Sequence, residues 1–290
     1  AADNPLKITQ ETPVSTFSID VDTAAYSLVR NSLTRGQMPP RDAVRVEELV
    51  NYFPYDYPAP DAGEAPFRPT VSTFQTPWNA DTQLVHIALQ GIMPEVEARP
   101  PLNLVFLIDT SGSMADASKL PLLKQSFMLM LDQLRPEDEV AIVEYAGSAG
   151  QVLKPTPASE RSTILKAISG LGAGGSTNGQ GGLEQAYAVA DGMADEGEVN
   201  RVILATDGDF NVGINNPDAL KDFIADKRDT GTYLSVLGFG RGNLDDATMQ
   251  ALAQNGNGTA AYIDTLSEAQ KVLVDQLTGA LFTIAGDVKI

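Results

Sequence analysis

The sequence predicts an α/β protein with a doubly wound, mostly parallel sheet that carries helices on both faces, together with a smaller N-terminal α+β region. The 290 residues are 43% hydrophobic and only 20% charged, so the chain can bury a sizeable core. Residues 102–108 and 201–206 are nearly continuous apolar runs, typical of strands covered on both faces. From residue 102 onward such strands alternate with helical patterns, which predicts right-handed crossovers and parallel pairing.

The N-terminal α+β region is predicted to cover residues 1–98, which are rich in proline and aromatic residues and contain a non-helical spacer at 54–60. We expect Asp22 or Thr23 to cap its first helix. The second helix is expected to bury Val46, Leu49, Val50 and Phe53 on one face. The predicted strands are 15–21, 70–74 and 84–92, and the predicted helices are 24–35 and 43–53.

The larger domain is predicted to cover residues 99–281. Residues 282–290 resemble the start of a further, truncated C-terminal region, and we expect them to pair with an N-terminal strand. Within the domain, the predicted strands are 102–108, 139–145, 201–206, 233–238 and 260–263. The predicted helices are 119–134, 161–168, 179–194, 217–230, 245–254 and 267–281.

Charge and composition exclude several classes of function. The chain has 20 Lys plus Arg against 38 Asp plus Glu, a formal charge of −18, so it lacks the basic surface that binds nucleic acid or anionic lipid. It has no Cys and a single His, which excludes thiolate chemistry and multi-histidine metal sites. Any bound metal should therefore be a hard cation with oxygen ligands, such as Mg²⁺, Ca²⁺ or Mn²⁺. No apolar run approaches the roughly 18 residues needed to span a bilayer.

Polar side chains follow the two most apolar predicted strands at the same edge of the sheet. The first strand runs into Asp-Thr-Ser-Gly-Ser at residues 109–113, and alternate residues of an extended loop point the same way. The later strand runs into Asp-Gly-Asp at 207–209, and a glycine-rich loop at 172–179 offers a threonine. Because ligands of open α/β sheets bind beyond the carboxyl ends of the strands, three loops can surround one hard cation. The candidate metal ligands are Asp109, Ser111, Ser113, Thr177 and Asp207.

This pattern resembles the von Willebrand factor type A domain and its metal-ion-dependent adhesion site, over residues 100–281. The resemblance implies a Rossmann-like fold in which the three hydroxyls coordinate the metal directly and the two aspartates act largely through water. It also implies a protein partner that presents an Asp or Glu carboxylate to the vacant metal position. Neutral hydroxyls leave the cation electrophilic, which suits a metal-bridged contact. We therefore predict a binding module with no catalytic residues.

The N-terminal segments Ser-Thr-Phe-Ser-Ile-Asp-Val-Asp-Thr-Ala at 15–24 and Pro-Tyr-Asp-Tyr-Pro at 54–58 look like those of the bacterial YfbK-like proteins. This narrower resemblance implies a similar N-terminal region, a type A domain and a further C-terminal domain. Many such relatives are envelope-associated or exported. It therefore implies a location in the cell envelope or periplasm, or secretion, with any leader absent from this sequence. The residues alone leave a cytoplasmic location as the alternative.

Two alternative functions use the same oxygen cluster. One is metal-assisted phosphoester hydrolysis, against which stands the lack of an evident general base and of a phosphate-binding Lys or Arg. The other is a scaffold whose metal position is filled by a carboxylate of the protein's own N-terminal or C-terminal region.

Overall fold

The computed structural model describes residues 6–14, 22–61, 63–92, 99–208, 217–240, 246–275 and 284. In the N-terminal region it confirms a small α+β arrangement of two helices and an antiparallel ribbon. The predicted strand at 15–21 lies outside the described residues. The elements are α1 (Ala24–Thr34), a 3₁₀ turn (Arg41–Ala43), α2 (Val46–Asn51), β1 (Phe67–Gln75) and β2 (Gln83–Gly91).

The α/β region is a six-stranded sheet, and the predicted fold class is confirmed. Its strands are β3 (Leu102–Asp109), β4 (Glu139–Tyr145), β5 (Ala149–Pro157), β6 (Val199–Thr206), β7 (Thr232–Phe239) and β8 (Ala260–Ile263). They lie in the order β5-β4-β3-β6-β7-β8, with every neighbouring pair parallel except β4 and β5. The helices are α3 (Leu120–Leu131), α4 (Arg161–Gly170), α5 (Gly179–Met193), α6 (Pro217–Asp229), α7 (Asp246–Asn255) and α8 (Leu266–Gln270).

Strand β3 lies at the centre of the sheet, and every one of its residues is buried. Its alternate side chains enter two separate apolar clusters because successive strand residues point to opposite faces. Leu104, Phe106 and Ile108 pack with residues of α3, α4 and α8. Val105 and Leu107 pack with residues of α5, α6 and α7. This double covering explains why the sequence of β3 is apolar throughout.

The antiparallel edge strand β5 is absent from the sequence prediction. It contains Pro155 and Pro157, and most of its side chains are at least partly exposed. Proline cannot donate to a ladder and is tolerated in edge strands, so this segment has neither an apolar run nor a continuous strand pattern. The parallel strands are predicted correctly because burial on both faces leaves a signal in the sequence that an exposed edge does not.

The predicted apolar face of the second helix is wrong, and the helix is shorter than expected. Val46, Val50 and Phe53 are 66%, 47% and 48% exposed, whereas Glu48 is 4% exposed. The Glu48 carboxylate accepts a hydrogen bond from the Ala25 amide at 2.8 Å and forms an ion pair with Arg45, so a polar contact decides which face is inside.

Of the two residues predicted to cap α1, the prediction for Thr23 is wrong. The Thr23 side chain makes no capping hydrogen bond to α1. The Oδ1 atom of Asp22 accepts a hydrogen bond from the Ala260 amide of β8 at 2.8 Å. Asp22 therefore joins the N-terminal region to the sheet edge.

An ionic cluster fastens helix α1 to the end of the α/β region. The Arg30 guanidinium donates to Asp264 at 2.6 Å and to Glu268 at 3.0 Å, and the Tyr52 hydroxyl donates to Glu268 at 2.8 Å. Burial and the hydrogen bond with Glu268 raise the pKa of Tyr52 to about 12, so its phenol stays a donor at neutral pH. The N-terminal helices are thus tied to β8 and α8 by buried polar contacts.

The last predicted helix and strand are only partly covered by the structure. Helix α8 is followed by a π-helical turn at Lys271–Asp275, and the predicted continuation to residue 281 lies outside the described residues. Of the predicted strand at 282–290 only Ile284 is described. It lies against Gly91 of β2, where a Cβ atom would come within 2.7 Å of its Cδ1. No helix in the described part of the chain is long and apolar enough to cross a membrane.

Replacing Gly182 by alanine is expected to destabilise the fold by about 1–3 kcal/mol, because the new methyl group overpacks the core. A Cβ atom at Gly182 would meet Tyr145 Cβ at 2.8 Å and Leu107 Cδ1 at 3.1 Å. The matched control is Gly192→Ala in the same helix, where a Cβ meets nothing within 4 Å and alanine should stabilise by about 0.5–1 kcal/mol. Equilibrium urea unfolding measures both, and equal stabilities would contradict the close approach of α5 to the sheet.

Candidate metal centre

Asp109 is the last residue of β3, and its carboxylate lies fully buried between the ends of the neighbouring strands. The Ser111 amide donates to Asp109 Oδ1 at 2.8 Å, and the Thr206 hydroxyl donates to Asp109 Oδ2 at 3.3 Å. Burial raises the pKa of Asp109, the hydrogen bonds from Ser111 and Thr206 oppose that rise, and the charge of Asp207 adds to it. Fixed donors therefore hold this carboxylate in one orientation at the edge of the sheet.

Two hydroxyl groups come together directly after Asp109. Ser111 Oγ and Ser113 Oγ lie 3.0 Å apart, with Ser111 buried and Ser113 exposed. Between them begins the 3₁₀ turn Gly112–Ala115, which the fully buried Met114 anchors in the core. The turn thus places one buried and one exposed hydroxyl side by side, and such a pair is a source of neutral oxygen ligands.

The glycine-rich loop between α4 and α5 is joined to the first loop through backbone hydrogen bonds. The Gly112 amide donates to the Gly175 carbonyl at 3.1 Å, and the Gly174 amide donates to the Thr110 carbonyl at 2.8 Å. Gly175 has a φ of +82°, a left-handed conformation that favours glycine. Thr177 lies half-buried two residues beyond it. The structure thus brings the Thr177 loop onto the Asp109–Ser113 loop, as the sequence predicts.

Asp207 follows β6 at the same edge, and its side chain is only 2% exposed. The Lys119 ammonium donates to Asp207 Oδ2 at 2.7 Å and to the Ser113 carbonyl at 3.0 Å. Sequence reasoning does not assign Lys119 to the site. The available signal is weak: Lys119 is the only basic residue between Arg99 and Lys124.

Tyr145 forms part of the floor beneath Asp109, and the sequence analysis does not assign it either. It is fully buried at the end of β4, and its backbone carbonyl accepts a hydrogen bond from the Thr110 amide at 2.9 Å. Burial, followed by the charge of Asp109, raises the pKa of Tyr145 well above its usual range. The phenol therefore stays protonated and neutral beside the buried carboxylate.

The chemistry of this edge fits a hard divalent cation that is held largely by hydroxyl groups. Within the described ranges, no three Asp, Glu or His side chains converge to form a metal cluster. The site instead combines the Ser111 and Ser113 hydroxyls with the carboxylates of Asp109 and Asp207. Alcohol and carboxylate oxygens suit Mg²⁺, Ca²⁺ or Mn²⁺.

Comparison with known proteins agrees with this Rossmann-like architecture. A family model described as the von Willebrand factor type A domain matches residues 103–276, and another described as von Willebrand factor matches residues 1–86. The chain belongs to the von Willebrand factor type A domain family, which is known for metal-dependent adhesion and protein interactions. The predicted boundaries at residues 98, 281 and 282 stay predictions.

One relative matches along nearly the whole chain. It is the uncharacterized protein YfbK of Escherichia coli strain K12, which is 45% identical over 293 residues that cover 99% of this chain and 51% of that protein. The predicted YfbK-like resemblance is confirmed. The chain spans about half the length of this relative.

Two solved structures share the fold at low sequence identity. The von Willebrand factor type A protein from Catenulispora acidiphila gives a TM-score of 0.54 at 18% identity, over 74% of this chain and 49% of that one. The mussel byssus proximal thread matrix protein 1 with a zinc-occupied MIDAS motif gives a TM-score of 0.50 at 19% identity, over 62% of this chain and 46% of that one.

Proposed function

We propose that this chain is a divalent-cation-dependent, adhesion-type protein-binding module that captures an acidic oxygen of its partner at the candidate metal centre. The observation that carries the proposal is the 3.0 Å contact between Ser111 Oγ and Ser113 Oγ beside the two buried carboxylates. The proposed metal ligands are Asp109, Ser111, Ser113, Thr177 and Asp207.

Each group of residues has a distinct part in holding the cation. The hydroxyls of Ser111, Ser113 and Thr177 are proposed to coordinate it directly, while Asp109 and Asp207 hold it largely through water. When bound, the cation supplies a local positive charge and a vacant position for a foreign oxygen. Because the site has few anionic ligands, it neutralises the charge of the cation only in part. An Asp or Glu carboxylate of a partner can supply the remaining negative charge.

Mg²⁺ is the proposed resident cation, with Ca²⁺ and Mn²⁺ as the other hard ions that suit an all-oxygen donor set. The zinc-occupied MIDAS motif of the mussel protein supports a divalent cation at this position. The absence of Cys from this chain and its single His argue against a dedicated zinc site.

We propose a binding role and not catalysis. A hydrolase at this edge would need a free general base and a cation that holds phosphate. Asp109 is fully buried and engaged by Ser111 and Thr206, and the Lys119 ammonium is engaged by Asp207. The resemblance to the YfbK-like proteins, many of whose relatives are envelope-associated or exported, supports a place in the cell envelope or periplasm, or secretion.

The test measures binding of a Glu-rich peptide and its Gln counterpart to the immobilised chain, with Mg²⁺ or with chelator. Because the chain carries a charge of −18, an acidic peptide should be repelled unless the cation bridges the two. We expect the Glu peptide to bind only with Mg²⁺ and the Gln peptide not to bind.

Ser113→Ala should weaken that binding about 10–100-fold, since a contact with a charged group is worth about 1.5–3 kcal/mol. Ser169→Ala is the matched control. Its hydroxyl is exposed on α4 and donates to the Leu165 carbonyl of the same helix. Binding that is insensitive to chelator, or equal for the two peptides, would refute the proposed function.

A further inference from the structure

The Lys119 side chain is seated inside the candidate metal centre. Its ammonium lies 2.7 Å from Asp207 Oδ2 and 3.0 Å from the Ser113 carbonyl oxygen, with 20% of the Lys119 side chain exposed. It therefore connects the loop after β3 with the loop after β6. Both of these loops contribute proposed metal ligands.

Gly240 provides the space for the aliphatic part of Lys119. This glycine follows β7 and has a φ of +115°. A Cβ atom there would lie 2.9 Å from both Cγ and Cε of Lys119. The lysine stem thus passes directly over the Gly240 backbone. Contacts at the start of α3 and the end of β7 therefore restrict the conformation of the Lys119 side chain, whereas an exposed surface lysine is free to rotate.

The charges at this edge explain what the ammonium does. Asp109 and Asp207 are both buried, and the negative charge of Asp207 disfavours the ionised form of Asp109. Two buried carboxylates without a counter-charge would be costly. Lys119 neutralises one of these charges, and it does so at an oxygen of a proposed metal ligand.

We propose that Lys119 is an internal competitor of the divalent cation, holding Asp207 when the metal is absent and thereby limiting the metal affinity of the site. This inference rests on the proposed function and assigns a further residue to it. Two consequences follow. Without metal, Lys119 already balances one of the two buried carboxylates, and a cation must overcome the Lys119–Asp207 ion pair in order to bind.

The experiment titrates Mn²⁺ by calorimetry into the wild-type chain and four variants, namely Lys119→Met, Lys119→Arg, Lys124→Met and Ser113→Ala. It also measures their metal-free melting temperatures. Lys119→Met keeps the length of the stem and removes the charge. We expect it to bind Mn²⁺ at least tenfold more tightly than the wild type and to melt at a lower temperature without metal. Lys119→Arg retains the charge and should keep the wild-type affinity to within about threefold, a change of about 0.7 kcal/mol or less.

The matched control is Lys124→Met, which makes the same chemical change on α3. The Lys124 ammonium donates to the carbonyls of Ser169 and Leu171 at the end of α4 and not to Asp207. Its Mn²⁺ affinity should equal that of the wild type. If Lys119→Met requires metal to fold, Mn²⁺ should restore its native circular dichroism spectrum, and failure to do so would overturn the proposal.

The outcomes separate this inference from the proposed function. If the wild type binds Mn²⁺ and Ser113→Ala weakens that binding, but folded Lys119→Met binds no more tightly, then the competitor role is wrong and the binding module stands. If neither the wild type nor Lys119→Met binds Mn²⁺, the proposed function and this inference fail together.

Discussion

Asp138→Ala is expected to destabilise the chain by about 3–5 kcal/mol, because it removes a buried carboxylate that a buried arginine and two backbone amides bind. Asp138 is fully buried and pairs with Arg99, whose side chain is 3% exposed. The Arg99 Nη1 atom donates to Asp138 Oδ1 at 2.7 Å, and the amides of Leu102 and Arg135 donate to the same carboxylate at 3.0 and 2.7 Å. One side chain thus fixes the start of β3, from whose other end the metal centre is built.

Asp132→Ala is the control for this prediction. Asp132 also pairs with an arginine, Arg161, but these side chains are 62% and 43% exposed, so the loss should stay below about 1 kcal/mol. Urea unfolding at equilibrium measures both variants, and a loss below about 1 kcal/mol for Asp138→Ala would show that the ion pair is dispensable. Arg99→Met combined with Asp138→Leu should recover much of the loss, because no unpaired buried charge remains.

The parallel sheet is predictable because burial on both faces imposes continuous apolar runs. Strands β3 and β6 carry that signal, and each ends directly at a carboxylate. The topology then requires the ends of parallel neighbours to meet at one edge. For this reason the convergence of the loops at residues 109–113 and 207 could be predicted before any distance was known. The glycine-rich loop at 172–179 follows α4 and not a strand, so the meeting of strand ends does not by itself place it there.

Side chains that act over long sequence separations could not be predicted in this way. Lys119 reaches Asp207 across 88 positions, and Glu48 accepts from Gln250 across 202. No local pattern encodes either contact, because each depends on the path of a long polar side chain through the folded structure. The same limitation made the predicted face of α2 wrong, since an apolar periodicity rule cannot foresee a buried glutamate.

Asp109→Asn is expected to weaken Mn²⁺ binding about 10–100-fold while leaving the metal-free fold intact, because an outer-shell carboxylate tunes metal affinity on that scale. Asparagine keeps the shape of the side chain, and its oxygen can still accept from the Ser111 amide. The substitution also removes a fully buried charge that faces Asp207, so the metal-free chain should gain up to about 1 kcal/mol.

A metal-binding role of Asp109 predicts weaker Mn²⁺ binding together with an unchanged or higher metal-free stability. A purely structural role predicts the reverse. If Asp109 served only to hold the loop after β3, Asp109→Asn would lower thermal stability, and the Mn²⁺ affinity of the folded fraction would stay unchanged. The control is Asp191→Asn, the same chemical change at a residue of α5 whose side chain is 46% exposed and pairs with Lys227 of α6. Calorimetry measures the Mn²⁺ affinity of the two variants, and thermal melting measures their metal-free stability. A Mn²⁺ affinity for Asp109→Asn within about threefold of the wild type would remove Asp109 from the proposed ligand set.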